Sequence, residues 1–175
     1  MNEKPSNIVL IGMPGSGKST VGVILAKLTG RDFVDTDVLI QKEEGRSLQD
    51  IVDQNGYLKL REIEEKTILK LECRGHVIAT GGSAVYSRAA MTHLKTHGIG
   101  VFLNVDLQTL FTRVKDFETR GLAKRPDQGV ADLFSERHAL YRKYADVIID
   151  CEGITHEEVC ARIIQELNGR SMPPT

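Results

Sequence analysis

The chain has 175 residues, of which 41% are hydrophobic and 27% are charged, and its net charge is −1. This composition is typical of one globular domain, spanning 1–175, and it is too apolar for a disordered chain. The charge balance and the absence of Trp argue against nucleic-acid binding as the main task, because such proteins usually carry a basic surface and aromatic stacking platforms.

Short apolar runs alternate with amphipathic segments along the chain. Five runs rich in apolar residues predict buried strands over 7–11, 33–35, 76–80, 100–105 and 147–150. Segments with helical patterning predict helices over 18–28, 37–44, 47–53, 58–72, 88–95, 107–115, 130–144 and 156–167. Nearly apolar strands separated by helices require a parallel sheet covered on both faces, so we expect a three-layer α/β fold.

Two segments are predicted to lack regular structure. Residues 116–129 contain charges, two glycines and Pro126, which predicts a mobile loop within the domain. The tail, 168–175, is expected to be frayed.

A glycine-rich motif follows the first predicted strand. Residues 12–19, GMPGSGKS, fit GxxxxGK[ST] between a strand and a helix, which is the context that this motif requires. Glycines let the backbone wrap around a phosphate with its N–H groups inward, and the helix start adds a positive dipole. Lys18 can reach the β- and γ-phosphates, and the Ser19 hydroxyl can bind Mg²⁺. The motif predicts a nucleoside triphosphate site with contacts from Gly15, Ser16, Gly17, Lys18, Ser19 and Thr20.

Further polar residues have ordinary structural interpretations when each is taken alone. Asp35 and Asp37 follow the second predicted strand, where ligands bind in α/β folds, and one carboxylate could serve Mg²⁺ while the other serves a substrate hydroxyl. Asp37 could instead cap a helix. The other candidates could be solvated charges or a tight turn: Arg61, Gly81, Gly82, Arg125 and Arg137.

Together these residues form a pattern that resembles the shikimate kinases from 7 to 167. The matching segments are GMPGSGKST at 12–20, FVDTD at 33–37, GRSLQDI at 45–51, LREIEE at 60–65, VIATGG at 77–82, RP at 125–126 and ERHALYRKYAD at 136–146. The P-loop is shared by many kinases, whereas the later segments in this order are far more specific.

The resemblance implies a P-loop kinase fold with a five-stranded parallel sheet of order 2-3-1-4-5. It implies phosphorylation of shikimate by ATP with Mg²⁺, in aromatic amino-acid biosynthesis. Asp37, Arg61 and Arg137 would grip the acid, and the two guanidinium groups would pair with its carboxylate. Gly81 and Gly82 would offer backbone contacts to this substrate.

The same resemblance implies roles around the phosphates. Asp35 would hold Mg²⁺, directly or through water, and would orient or deprotonate the acceptor hydroxyl. Arg125 would cover the transferring phosphate from a lid over about 116–129, and Arg113 would lie over adenine. Lys18, Asp35 and Arg125 are therefore the catalytic candidates.

The chain departs from the family pattern in the acceptor pocket and the lid. Ser83 stands where a third glycine is usual, and Leu60 and Val52 stand where aromatic residues are common. The stretch 113–125 is long, and Asp127-Gln128 replaces leucines after Arg-Pro. Another small hydroxy acid, such as homoserine, therefore remains an alternative acceptor. A non-catalytic nucleotide-binding module is a further alternative, against which the retained lid and acceptor groups argue.

Cysteines and targeting signals bear on where the chain works. Cys73, Cys151 and Cys160 are far apart and odd in number, which favours reduced thiols over disulfides or a zinc site. The polar start, MNEKPSN, does not have the order of a signal peptide, and no apolar run approaches the ~20 residues that span a bilayer. We expect a cytoplasmic monomer that binds small molecules and neither nucleic acid nor membrane.

Overall fold

A five-stranded parallel sheet lies at the centre of the computed structural model, which describes residues 7–114 and 121–170. Its strands are β1 (Asn7–Ile11), β2 (Asp32–Asp35), β3 (His76–Ala79), β4 (Gly98–Asn104) and β5 (Val147–Asp150). Their order is β2-β3-β1-β4-β5 and each neighbouring pair is parallel, so the predicted order is confirmed. All five residues of the central strand β1 are buried, as expected for a sheet covered on both faces.

Helices flank this sheet in the described residues. They are α1 (Lys18–Thr29), α2 (Thr36–Glu44), α3 (Leu48–Asn55), α4 (Tyr57–Leu69), α5 (Arg88–Thr96), α6 (Leu107–Arg113), α7 (Val130–Tyr144) and α8 (His156–Asn168). The main hydrophobic core surrounds the sheet, and a second, smaller cluster joins α2, α3 and α4 to the described part of the predicted lid. Its buried members are Ile40, Ile51, Leu60, Ile63 and Ala123.

Side chains at the helix starts explain several of these boundaries. Ser47 and Thr155 each form a capping box at the start of α3 and α8. Asp35, and not Asp37, is the N-cap of α2, because its Oδ1 accepts from the Asp37 N–H at 2.9 Å. The interpretation of Asp37 as a helix cap is therefore wrong, and its carboxylate is left for another purpose.

Most predicted elements lie within a few residues of the observed ones. Helix α4 ends at Leu69 and not at 72. Beyond that point Leu71 packs against the main hydrophobic core. A 3₁₀ turn, Ala84–Tyr86, was not predicted, since three residues are too short for a helical period to show. Helix α6 ends at Arg113 among the described residues, and Asn168 is still helical.

The predicted mobile loop and tail are only partly described. Residues 115–120 and 171–175 lie outside the described part of the chain. The described part of the loop, 121–129, contains no helix or strand. None of the helices in the described residues combines the length and the apolar character needed to cross a membrane.

Candidate active site

A cleft of about 970 Å³ opens beyond the carboxyl ends of the central strands, where α/β sheets usually bind ligands. We call one end the P-loop end; it is lined by the glycine-rich loop at 14–20, by Arg113 and by 154–157. The other is the arginine end, and its residues come from three helices and two connecting segments. They are Asp37, Leu60, Glu64, Gly81, Gly82, Ser83, the segment 121–123 and Arg137, with Arg61 and Tyr86 directly behind.

At the P-loop end, two glycines hold the backbone in a conformation that side chains rarely adopt. Gly15 has φ 84° and Gly17 has φ 95°. A Cβ atom on Gly15 would overlap with Val114 Cγ2, so the loop lies directly against α6 and the residue after it. Gly17 caps α1, which leaves the first backbone N–H groups of that helix facing the cleft. The loop thus provides a cradle for a phosphate.

Lys18 lies at the centre of this loop and is only 8% exposed. Its Nζ donates to the carbonyl oxygens of Gly12 at 2.7 Å and Met13 at 2.8 Å. Burial lowers the pKa of Lys18 to about 8, although the negative charge of Asp37 opposes this shift. A bound phosphate would supply the anionic partner that this desolvated ammonium group does not have in the loop.

Ser19 and Asp35 bring two oxygen ligands together beside the loop. The Ser19 hydroxyl donates to Asp35 Oδ2 at 2.5 Å. Hydroxyl and carboxylate oxygens are the hard ligands that Mg²⁺ prefers, usually completed by phosphates and water. Within 7–114 and 121–170 there is no cluster of three or more His, Cys, Asp or Glu that could hold a metal by itself. The pair therefore fits a magnesium ion that arrives with a nucleotide.

Arg113 and the segment 154–157 close the P-loop end. Arg113 and Thr20 both line the cleft, while the position of Arg113 over adenine stays a prediction. Residues 154–157 were not predicted to line the site; they include His156, whose Nε2 would lie 3.2 Å from a Cβ on Gly17. The position of this segment just after β5 could have identified it, because it follows the carboxyl end of a parallel strand.

Two arginines converge at the arginine end. Arg137 is 1% exposed, and its Nη2 donates to the carbonyl oxygen of Ala123 at 3.1 Å. Arg61 is partly buried, and its Nη2 donates to the same oxygen at 3.0 Å. The Nε atoms of both side chains are buried without a hydrogen-bond partner. No ion pair among the described residues includes either guanidinium group. Two guanidinium groups that form no ion pair and keep free Nε donors fit a planar carboxylate.

Two carboxyl groups lie beside the arginines, that of Glu64 buried and that of Asp37 partly buried. Burial, reinforced by the charge of Asp35, raises the pKa of Asp37 to about 6. Burial and the charge of Asp37 raise the pKa of Glu64 to about 7. The Ser83 hydroxyl donates to Glu64 Oε2, while Glu64 Oε1 is buried without a partner. The site assignments from sequence missed Glu64, although its position three residues after Arg61 on α4 places the two on neighbouring rows of that helix.

Gly81 and Gly82 leave no room for side chains. A Cβ atom on Gly81 would lie 2.7 Å from Asp37 Oδ1, and one on Gly82 would lie 2.7 Å from Arg137 Nη1. The Gly81 N–H already donates to Thr36 Oγ1 at 3.1 Å, and the Gly82 carbonyl accepts from the Tyr141 hydroxyl at 2.7 Å. The Gly81 N–H and the Gly82 carbonyl are thus bonded within the protein, and the two glycines form part of the wall of the cleft.

The segment 121–123 reaches the arginines from the predicted lid. Gly121 has φ 64°, and a Cβ on it would lie 2.5 Å from the carbonyl carbon of Leu48. Its N–H donates to Gln49 Oε1 at 2.6 Å, so the segment is fastened to the start of α3. Leu122 and Ala123 are buried against the cleft as a result.

Arg125 is not brought into the cleft. Its side chain is half exposed, and Nη1 lies 3.5 Å from Glu136 Oε2 on α7. The structure thus brings together Lys18, Asp35, Asp37, Arg113 and Arg137 but leaves Arg125 outside this group. Its role over the transferring phosphate stays a prediction.

Comparisons with known proteins agree on one family. The family model described as shikimate kinase matches residues 14–168. A shikimate kinase of Thermodesulfovibrio yellowstonii is 40% identical over 163 residues, covering 91% of this chain and 94% of that protein. The solved structure of shikimate kinase from Acinetobacter baumannii in complex with shikimate has a TM-score of 0.87 at 30% identity, covering 95% of each chain. That of Aquifex aeolicus has a TM-score of 0.81 at 36% identity, covering 93% of this chain and 96% of the other.

Proposed function

The chain belongs to the shikimate kinase family, and we propose that it transfers the γ-phosphoryl group of ATP to shikimate, giving shikimate 3-phosphate and ADP. One observation carries the choice of an acid acceptor. Arg61 and Arg137 converge on a single carbonyl oxygen with unused Nε donors, and no described carboxylate forms an ion pair with them. Burying two guanidinium groups in this way is costly unless an anionic ligand completes the site.

The phosphate chemistry falls to the P-loop end. ATP and Mg²⁺ are the co-substrate and metal of the family. Backbone N–H groups of Gly15, Ser16 and Gly17 would hold the phosphates, and Lys18 would turn from the loop carbonyls to the β- and γ-oxygens. Ser19 and Asp35 would hold Mg²⁺, which neutralises charge on the phosphates. We assign stacking on adenine to Arg113.

The acceptor is held at the arginine end. Asp37 has a partly buried carboxyl group that does not cap α2, so it can bind an acceptor hydroxyl. Asp35 lies between Asp37 and Ser19, which suits it to orient or deprotonate that hydroxyl. Gly81 and Gly82 line the pocket, and Arg125 would cover the transferring phosphate after the lid closes.

Ser83 bears on the alternative acceptors. The Ser83 hydroxyl donates to Glu64, so its hydrogen bond is already made within the protein. Ser83 is therefore not required as a contact for an acceptor other than shikimate. This favours shikimate over homoserine. A non-catalytic nucleotide-binding module is disfavoured, because phosphate, metal and acid-binding groups share one cleft.

The acceptor is a small molecule. We propose that the enzyme is a monomer with one kinase domain and that it works in the cytoplasm. All three cysteines are free thiols, which supports a reducing compartment.

A coupled assay of ADP release tests the proposal with shikimate, homoserine and shikimate methyl ester as acceptors. We expect kcat/KM for shikimate to exceed that for homoserine by at least about tenfold, or roughly 1.4 kcal/mol. The methyl ester should be a poor acceptor because it cannot pair with the arginines as an anion. Running Ser83→Gly in parallel should leave this order unchanged. A higher kcat/KM for homoserine would overturn the proposed substrate while keeping the kinase class.

A further inference from the structure

Tyr86 lies behind the arginine end, at the last position of the 3₁₀ turn. The Cζ atom of Arg61 lies 3.6 Å from the centroid of the Tyr86 ring, and that of Arg137 lies 5.5 Å from it. Tyr57 contacts Arg61 at a longer 5.1 Å. All three distances are within the range of about 6 Å for cation–π attraction, and Tyr86 is the ring that faces both arginines.

An aromatic ring holds a guanidinium group without neutralising it. A carboxylate in the same place would hold Arg61 more strongly, but it would also compete with a carboxylate of the substrate. The described residues form no ion pair with Arg61, so its charge and its Nε donor stay available. The ring face of Tyr86 therefore sets the plane of the guanidinium group without taking up its Nε–H, while Nη2 donates to the Ala123 carbonyl oxygen.

The Tyr86 hydroxyl fixes the ring in turn. It donates to Glu136 Oε1 at 2.5 Å, and this hydrogen bond is the main reason that the pKa of Glu136 lies below its usual value. Glu136 Oε2 accepts from Gln128 Nε2 at 3.1 Å and lies 3.5 Å from Arg125 Nη1. Glu136 immediately precedes Arg137 on α7, so one helix supplies both the second arginine and the anchor for the ring.

We infer that Tyr86 is a positioning residue for the carboxylate of the acceptor: its ring orients Arg61, and its hydroxyl orients the ring through Glu136. The inference rests on the proposed acid acceptor. Its two parts are separable, since phenylalanine keeps the ring face without the hydroxyl and leucine keeps neither.

Steady-state kinetics of Tyr86→Leu and Tyr86→Phe tests the inference. Tyr86→Leu should raise the KM for shikimate about tenfold, with KM for ATP and kcat changed less than about twofold. Tyr86→Phe keeps the ring face, so its KM for shikimate should stay much closer to that of the wild type than the KM of Tyr86→Leu does. With shikimate methyl ester, Tyr86→Leu and the wild type should have kcat/KM values within about twofold, because a neutral ester gains little from an oriented cation. Tyr144→Leu, which removes a tyrosine that does not line the cleft, is the control.

A second measurement does not depend on the substrate. In ¹⁵N NMR spectra of the free protein, the Nε–H signal of Arg61 should shift and broaden in Tyr86→Leu, while the backbone amide signals of the P-loop stay in place. An unchanged Arg61 signal, or an equal penalty on the acid and its ester, would overturn the inference. If the wild type failed to phosphorylate shikimate while the Arg61 signal responded as expected, the proposed substrate would fail and the positioning of Arg61 by Tyr86 would stand.

Discussion

The two ends of the cleft are built in different ways. The P-loop end depends mainly on the backbone of one continuous segment, in which Gly15 and Gly17 fix the direction of successive N–H groups. The arginine end depends on side chains that α2, α4, α7 and two connecting segments bring together. A phosphate cradle can therefore be specified by a short motif, whereas the acid site is specified only by the folded chain. Single side-chain changes should accordingly have separable effects at the two ends.

The largest expected effect is at the P-loop end. Lys18→Met should keep the fold but lower kcat by several orders of magnitude, because charge stabilisation of the transferring phosphoryl group supplies most of such catalysis. The fold should hold because methionine fills the buried space without a desolvated ammonium group. Turnover in the ADP-release assay above about a tenth of the wild-type rate, roughly 1.4 kcal/mol of barrier, would contradict this assignment.

The next effect separates the ends directly. Arg61→Ala should lower kcat/KM for shikimate, mainly by raising KM. The loss should correspond to about 2–4 kcal/mol, because the carboxylate of the acceptor loses one partner of a desolvated charge pair. The KM for ATP should change less than about twofold, since Arg61 does not touch the P-loop end. Arg162→Ala on α8, which removes an exposed arginine, is the matched control. An equal loss in both KM values would mean that the two ends are not separable.

A smaller effect concerns stability at the arginine end. The pKa of Glu64 is raised from its usual 4.5 to about 7 by burial, so between these pH values the unfolded chain releases a proton that the folded chain keeps. The free energy of unfolding should therefore fall as pH rises through this window, by roughly 3 kcal/mol from this group. Its contribution is fully present below pH 4.5 and lost above about pH 7.

Glu64→Gln should flatten that dependence, because the amide stays neutral. The pKa of Asp37 is raised in the same direction, so a weaker slope should remain below about pH 6. Glu62→Gln on the same helix is the control: the pKa of Glu62 is lowered by its hydrogen bonds to Lys66 and Lys59, which places its titration below the window. Denaturant unfolding of the three proteins from pH 4 to pH 8 gives the comparison, and parallel curves for wild type and Glu64→Gln would contradict it.

The contrast between the ends also explains what could be predicted from sequence. The P-loop and its flanking elements follow from local rules on glycine, strand and helix, while the strand order came from the family resemblance and not from spacing. Arg61 and Arg137 were selected only because they recur in that pattern. Glu64 contacts Ser83, 19 positions away, and Tyr86 contacts Arg61, 25 positions away. Neither residue was predicted, because contacts over such separations leave no periodic pattern in the local sequence. The cap of α2 was placed on Asp37 in one interpretation and belongs to Asp35, since either aspartate satisfies the motif for a helix start.

The carbonyl oxygen of Ala123 has a consequence for how this site can change during evolution. Any amino acid at position 123 presents the same backbone oxygen to both arginines, so comparison of residue identities would not find what they hold. The constraint falls instead on Gly121, where the backbone conformation and the contact with Leu48 exclude a side chain. We therefore expect glycine to be retained at position 121, two positions before the oxygen that both arginines contact, and a search for covarying charges would not detect this constraint.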